Sequence, residues 1–285
     1  MHEGTMAKDI HAAVREICLA FPEGEEFISH GSPNFRVRGK TFATYVVNFH
    51  GDKRIALWLP APSGAQSQLL LTEPQNYFVP PYVGVRGWIG VHLNRELSWD
   101  QIATLIRDAY ECVAAASLRR AIESTPSIVP PTETVDPFEI DPLGTPQVQA
   151  IYHPLRDFLL SLPDVSEAES FGSPVWRVGK RTFVQLTFYN RRLRAGFWVG
   201  LEMQDVLTDD PRFEIPAYMG HNGWIALDLE QFIDWPEIHA FSQQSYRHFA
   251  NKKQAVALDA MLAACRTFIA SAPEARQAAR ALLSF

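Results

Sequence analysis

The feature that most restricts this chain is that it repeats itself. Gly31-Ser32-Pro33 recurs as Gly172-Ser173-Pro174, an offset of 141, and the same offset pairs Arg36 with Arg177, Val37 with Val178 and Thr41-Phe42 with Thr182-Phe183. The offset becomes 140 at Trp58 and Trp198, then 136 where Tyr82, Gly84, Gly87, Trp88 and Ile89 meet Tyr218, Gly220, Gly223, Trp224 and Ile225. It also joins Trp99 to Trp235 and Tyr110 to Tyr246. So many rare residues in register mark a duplicated unit. The 285 residues thus hold two domains of one fold, each near the common domain size of about 100 to 150 residues.

The expected bounds are 1–123 for the first domain, 124–147 for a linker, 148–250 for the second domain and 251–285 for a C-terminal extension. The linker carries Pro126, Pro130, Pro131, Pro137, Pro142 and Pro146 with acids and no base, a composition that resists helix and favours extended, solvated chain. In the extension, Leu258, Met261, Leu262, Cys265, Phe268 and Ile269 recur at spacings of three and four, so 252–285 reads as a helix. It has no counterpart after the first copy. Its apolar face packs on its own domain or holds a protein partner.

Each copy opens with a helix, Ile10 to Leu19 and Val148 to Leu162. In the first copy three β-rich runs follow, at Phe35 to Val37, Thr41 to Phe49 and Arg54 to Leu59, the last two joined at His50-Gly51-Asp52-Lys53. The second copy joins its runs around Asn190-Arg191-Arg192. A short helix, a strand from Trp88 to Leu93 and a helix from Trp99 to Ala116 complete the unit. This order predicts an α+β fold, an antiparallel sheet flanked by helices.

Composition removes several classes. With 47% hydrophobic and 20% charged residues, the chain is neither disordered nor fibrous. No apolar run approaches the roughly 20 residues that span a bilayer, and Met1 to Asp9 has no basic stretch leading into an apolar one, so the expectation is a cytoplasmic protein without a membrane partner. Cys18, Cys112 and Cys265 are widely spaced and unmatched between the copies. Neither metal-ligand spacing nor a nucleophile elbow or phosphate loop occurs, so no metal, cofactor or catalytic residue is expected. The formal net charge of −6 argues weakly against a protein that coats nucleic acid. Yet residues 1–125 hold 12 bases against 13 acids and residues 150–285 hold 14 against 15, so a local basic patch fits on either copy.

The repeated segments resemble the MmcQ/YjbR-like family. The resemblance rests on Gly-Ser-Pro-x-Phe/Trp-Arg-Val with its following Thr-Phe strand, on Pro-Tyr-x-Gly-x-x-Gly-Trp-Ile (its first residue Ala217 in the second copy), and on Trp-x-x-Ile before a helix ending near Tyr. It covers about 100 residues twice. It implies a secretion-chaperone-like α+β fold and DNA binding by a double wing of hairpins, and it brings no catalytic residues.

Comparing the copies tests catalytic ideas internally. His30 faces Phe171, His92 faces Asp228 and His221 faces Val85, so no histidine is shared. Among the shared polar residues, Ser32 and Ser173 read as turn formers. Arg36 and Arg177 read either as partners of the shared Glu26 and Glu167 or as anion contacts. Tyr82 and Trp88, with Tyr218 and Trp224, read either as a tight turn feeding a buried strand or as the wall of a cleft beside the Gly-Ser-Pro turn, with His221 at hand.

Three functions remain open. DNA binding draws on Arg191, Arg192 and Arg194 at the second copy's hairpin tip, with Lys180 and Arg181 nearby, and more weakly on Lys53 and Arg54 in the first copy. A protein-binding adaptor would use the C-terminal helix 252–285. A small-molecule sensor or enzyme would use the aromatic loop with His221 and Arg177.

Overall fold

The computed structural model describes residues 9–189, 192–230 and 232–271. They divide between two compact units, Met1–Asp141 and Pro142–Phe285. In unit 1 the elements are α1 (Ile10–Leu19), β1 (Gly24–Ser29), β2 (Ser32–Val37), β3 (Lys40–Val47), β4 (Ile55–Pro60), α2 (Ala65–Thr72), β5 (Tyr77–Phe78), β6 (Trp88–His92), α3 (Trp99–Val113), α4 (Ala116–Arg120) and α5 (Pro137–Ile140). The strands form one antiparallel sheet in the order β1-β2-β3-β4-β6-β5.

Local chemistry starts each helix. Asp9 caps α1 by accepting from the Ala12 amide at 2.6 Å, and Ser98 and Gln101 form a reciprocal capping box on α3. The apolar stripe of α1 (Ile10, Val14, Ile17, Cys18) and that of α3 (Ile102, Ile106, Tyr110) meet Phe35, Phe42, Leu57 and Ile89 of the sheet in one buried core. Each such large side chain contributes about 1.5–3 kcal/mol on burial. Tyr110 keeps its polar tip satisfied by donating to the Pro22 carbonyl at 2.7 Å, and Tyr246 repeats this in unit 2 toward Pro163 at 2.8 Å.

Unit 2 runs α6 (Pro146–Ser161), β7 (Val165–Ser170), β8 (Ser173–Val178), β9 (Arg181–Tyr189), β10 (Arg192–Trp198), α7 (Leu201–Leu207), β11 (Phe213–Glu214), β12 (Trp224–Asp228), α8 (Trp235–Phe249) and α9 (Lys252–Ser271). Its sheet order, β11-β12-β10-β9-β8-β7, is that of unit 1 read from the other edge. The duplicated α+β fold expected from the sequence is therefore present.

The edge strands β1 and β7 were not apparent in the sequence, being rich in Glu and Ser. Pairing creates them. Ser29 pairs with Ser32 and Ser170 with Ser173 across two-residue turns whose first members, His30 and Phe171, have φ 51° and whose second, Gly31 and Gly172, have φ 77° and 76°. Glycine tolerates this left-handed backbone freely, and such turns match the twist of a hairpin. Both copies also carry a register shift next to the shared arginine, between Phe35 and Arg36 and between Trp176 and Arg177.

The proline-rich stretch departs from the solvated linker expected at 124–147. Val135 is buried, and Ile122, Ile128 and Ile140 pack on the core of unit 1. Lys53 Nζ meets Asp141 Oδ2 at 2.6 Å, and Arg107 donates to Thr125 Oγ1 at 3.1 Å. Proline lacks an amide hydrogen, so this extended chain can lie on an apolar surface while leaving fewer donors unpaired. At the other end α9 packs on its own unit. Leu258 and Leu262 are buried, Asp259 pairs with Arg247 at 2.6 Å, and Asp164 accepts from Gln254 Nε2. The side chains of Phe268 and Ile269, and residues 272–285 of the expected helix, lie outside the described residues. Among those described, no helix is long and apolar enough to cross a membrane.

Candidate ligand and nucleic-acid surfaces

The Tyr-x-Gly-x-x-Gly-Trp loop is built alike in both units. Tyr82 and Tyr218 adopt left-handed φ of 63° and 66°, an uncommon state for an aromatic residue, and both rings are exposed. A Cβ at Gly84 would strike Val79, and one at Gly220 would strike Ile215, so these two glycines permit a close approach. Gln66 Nε2 donates to the carbonyls of Gly84 at 2.8 Å and Trp88 at 2.6 Å. Gln204 Nε2 does the same toward Gly220 at 2.9 Å and Trp224 at 2.6 Å. This shared pair escaped the sequence reading because its offset, 138, falls where the register drifts. Each glutamine ties its short helix to the loop.

Trp224 is buried, and Trp88 packs half-buried on a second cluster of Val46, Ala56, Trp58 and Phe78. They follow the core reading. This loop does not adjoin the Gly-Ser-Pro turn. Ser32 lies on β2 and Trp88 on β6, with β3 and β4 between them, a separation of roughly 14 Å at ordinary strand spacing. Ser173 and Trp224 are divided likewise by β9 and β10. His221 sits exposed on the loop, its ring nitrogen 2.9 Å from Asn222 Nδ2.

The shared arginines pair differently from expectation. Arg36 Nε meets Glu25 at 3.0 Å, and its guanidinium lies 4.8 Å from the centre of the Phe27 ring. Glu26 is held instead by Arg15 at 2.6 Å and His11 at 3.1 Å, and Glu167 by Arg156 at 2.7 Å and Tyr152 at 2.6 Å. Alternation along the strand explains this: Glu25 and Arg36 are direct cross-strand partners, whereas Glu26 points to the opposite face, toward α1. Arg177 faces Ser166 and forms no ion pair among the described residues.

The basic hairpins are largely neutralised. Arg192 Nη1 meets Asp228 at 2.8 Å, and Arg194, only 8% exposed, meets Glu214 at 2.7 Å. The sheet brings those acids from β12 and β11, which no local reading of the tip reveals. Arg191 lies outside the described residues. In unit 1 Lys53 is paired with Asp141, and Arg54 stands 3.7 Å from Asp52 with its guanidinium 4.2 Å from the centre of the Phe78 ring. Burial pushes the Asp52 carboxyl up. By contrast, Lys180 and Arg181 are exposed and form no ion pair among the described residues. Burial, and then the Arg181 charge, hold His248 below the usual imidazole value. That ring stacks on Trp198 with centroids 3.4 Å apart.

Among the described residues no group of three or more His, Cys, Asp or Glu side chains converges on a metal position.

A family model described as YjbR matches residues 19–112 and 160–248, together more than half of the chain. The chain belongs to the YjbR family. The two matches fall on the two units, so each unit is a YjbR copy. No curated protein matches the chain. A solved structure, the Deinococcus radiodurans protein DR2400 with its DUF419 domain, is similar at 16% identity over 43% of this chain and 97% of that one, with a TM-score of 0.35.

Proposed function

We propose that this YjbR protein is a non-catalytic binding protein whose partner is nucleic acid, with the main contact on unit 2. One observation carries the reading: several of the polar side chains common to both copies are engaged in holding the fold. Arg15 and Arg156 secure Glu26 and Glu167, Gln66 and Gln204 secure the loop, and Tyr110 and Tyr246 secure the helix corner. What differs between the copies is which surface charges are paired, and in unit 2 Arg177, Lys180 and Arg181 form no ion pair among the described residues. DNA is the ligand that the family resemblance implies. Titration of labelled duplex and single-stranded DNA at several salt concentrations tests it, because phosphate contacts weaken linearly in log–log terms as salt rises. No binding at low salt ends the reading.

A protein partner is the second reading, moved from the C-terminal helix to the aromatic loop. The buried Leu258 and Leu262 of α9 are already covered, whereas Leu201, Val206, Ile215 and Tyr218 of unit 2 are exposed, as are Leu71, Val79, Tyr82 and Val85 of unit 1. Tyr82→Ser with Tyr218→Ser should then abolish co-purification of any partner while leaving DNA binding intact.

A further inference from the structure

Comparison of the two β-hairpins that follow the shared arginine isolates a difference in charge. In unit 1, Arg36 is matched by Glu25, and Arg38 at the β2–β3 turn is gripped by Glu23 through two bonds of 2.7 Å. In unit 2 both acids have lost that role. Ser166 stands opposite Arg177, Gly179 replaces Arg38, and Asp164, at the place of Glu23, is occupied by Gln254 of α9. The β8–β9 turn carries two exposed cations that form no ion pair among the described residues, while the Asp164 carboxylate beside it is held by the neutral Gln254 amide.

The docking of α9 beside this turn forms a shallow recess of about 300 Å³, lined by Lys180, Arg181, Asn251 and Gln254 over a floor that includes Val178 and Phe249. Asn251 and Gln254 cap the helix reciprocally, at 3.0 Å and 2.9 Å, so the start of α9 is fixed in place. The first turn of α9 then presents Lys252 and Lys253 and no acid. That is the reverse of the usual preference, in which acids sit at the positive end of a helix dipole. Lys252 and Lys253 form no ion pair among the described residues. The cations that line the concavity are Lys180 and Arg181, with Lys252 and Lys253 outside its lining, and an anion seated there would meet those two charges beside a helix start.

We propose that this recess of unit 2 is a phosphate site, in which the Lys180 ammonium and the Arg181 guanidinium take the oxygens of one phosphate group and Asn251 stands at the rim. An ammonium is a compact point charge and a guanidinium a two-pronged donor, a combination suited to a tetrahedral oxyanion. Among the described residues unit 1 repeats no such site, because Gly39 stands where unit 2 has Lys180 and Glu23 holds Arg38 at the equivalent turn. The phosphate is either part of a nucleic-acid strand or a free phosphate ester, since both present the same oxygens. The inference deepens the nucleic-acid reading at Lys180 and Arg181, and rests on that reading only where the phosphate belongs to a strand.

The test uses the full chain and three probes: inorganic phosphate, a 5′-nucleoside monophosphate and a short DNA duplex at several salt concentrations. Three proteins are compared, the wild type, Lys180→Ala with Arg181→Ala, and the charge-retaining Lys180→Arg with Arg181→Lys. Both positions are exposed, and thermal melting verifies that the variants fold. The expected result is about a tenfold loss of binding for the small phosphates in the alanine pair, with binding kept in the charge-retaining pair. If a strand is the source, the duplex salt slope also becomes shallower by about one. Equal binding of all probes by the alanine pair and the wild type overturns the site, as does failure of every probe to bind. Duplex binding unaltered in the alanine pair, with no small-phosphate binding, removes the site and moves the nucleic-acid contact away from Lys180 and Arg181. Small-phosphate binding that the alanine pair loses, without duplex binding, does the reverse.

Discussion

Arg38 holds Glu23 in a two-pronged ion pair, Nε to Oε2 and Nη2 to Oε1, each at 2.7 Å. The Arg38 hydrogen bonds draw the Glu23 carboxyl below its ordinary value. The unfolded chain therefore takes up this proton more readily than the folded one. The contribution of the pair is fully present above the ordinary glutamate value of about 4.3 and is lost as pH falls through the lower folded value.

That sign predicts an acid-side difference between Glu23→Gln and the wild type. Hydrogen exchange of peptides from β1 and β2 should show the wild type losing protection as pH is lowered from neutral toward 3, while the variant, lacking this titration, changes less. Because the pair is exposed, the effect at neutral pH is small. Parallel loss in both proteins would show that Glu23 contributes nothing to the acid response.

A second prediction concerns the loop ties. Gln204 is buried and serves two carbonyls, so Gln204→Ala should destabilise unit 2 by about 1–3 kcal/mol through acceptors left without a donor. Gln66 makes the same bonds but is half-buried, and water can replace it in part. Gln66→Ala should therefore cost less in unit 1. Urea midpoints compare the two, and an equal, negligible effect would remove the glutamines from the account of the loop.

A third separates structure from ligand contact among the hairpin arginines. Arg194 is 8% exposed while its partner Glu214 is 50% exposed, so Arg194→Ala removes packing and a bond but leaves an acid that can turn to water. The expected loss is about 1–2 kcal/mol, below that for a fully buried pair. DNA affinity and its salt slope should stay as in the wild type. A shallower slope in this variant would restore Arg194 to the binding surface.

How much was legible varies by element. The opening helix α1, the closing helix α3 and the Tyr110 and Tyr246 positions follow from spacing along a short stretch. The strands β1 and β7 do not, because Gly24-Glu25-Glu26-Phe27-Ile28-Ser29 has little intrinsic strand character and becomes a strand only through pairing with β2. The expected adjacency of the aromatic loop and the Gly-Ser-Pro turn is absent for a related reason: two strands lie between them in the sheet.

The amino-acid order alone determined that one fold occurs twice, where each copy lies and which rare residues recur, since duplication leaves its trace in identity and spacing. Only the tertiary structure decided which cations remain uncompensated. Charge balance is a matter of distance in space, and Asp228, Glu214 and Asp141 reach Arg192, Arg194 and Lys53 from distant parts of the sequence, while among the described residues no acid pairs with Lys180 or Arg181.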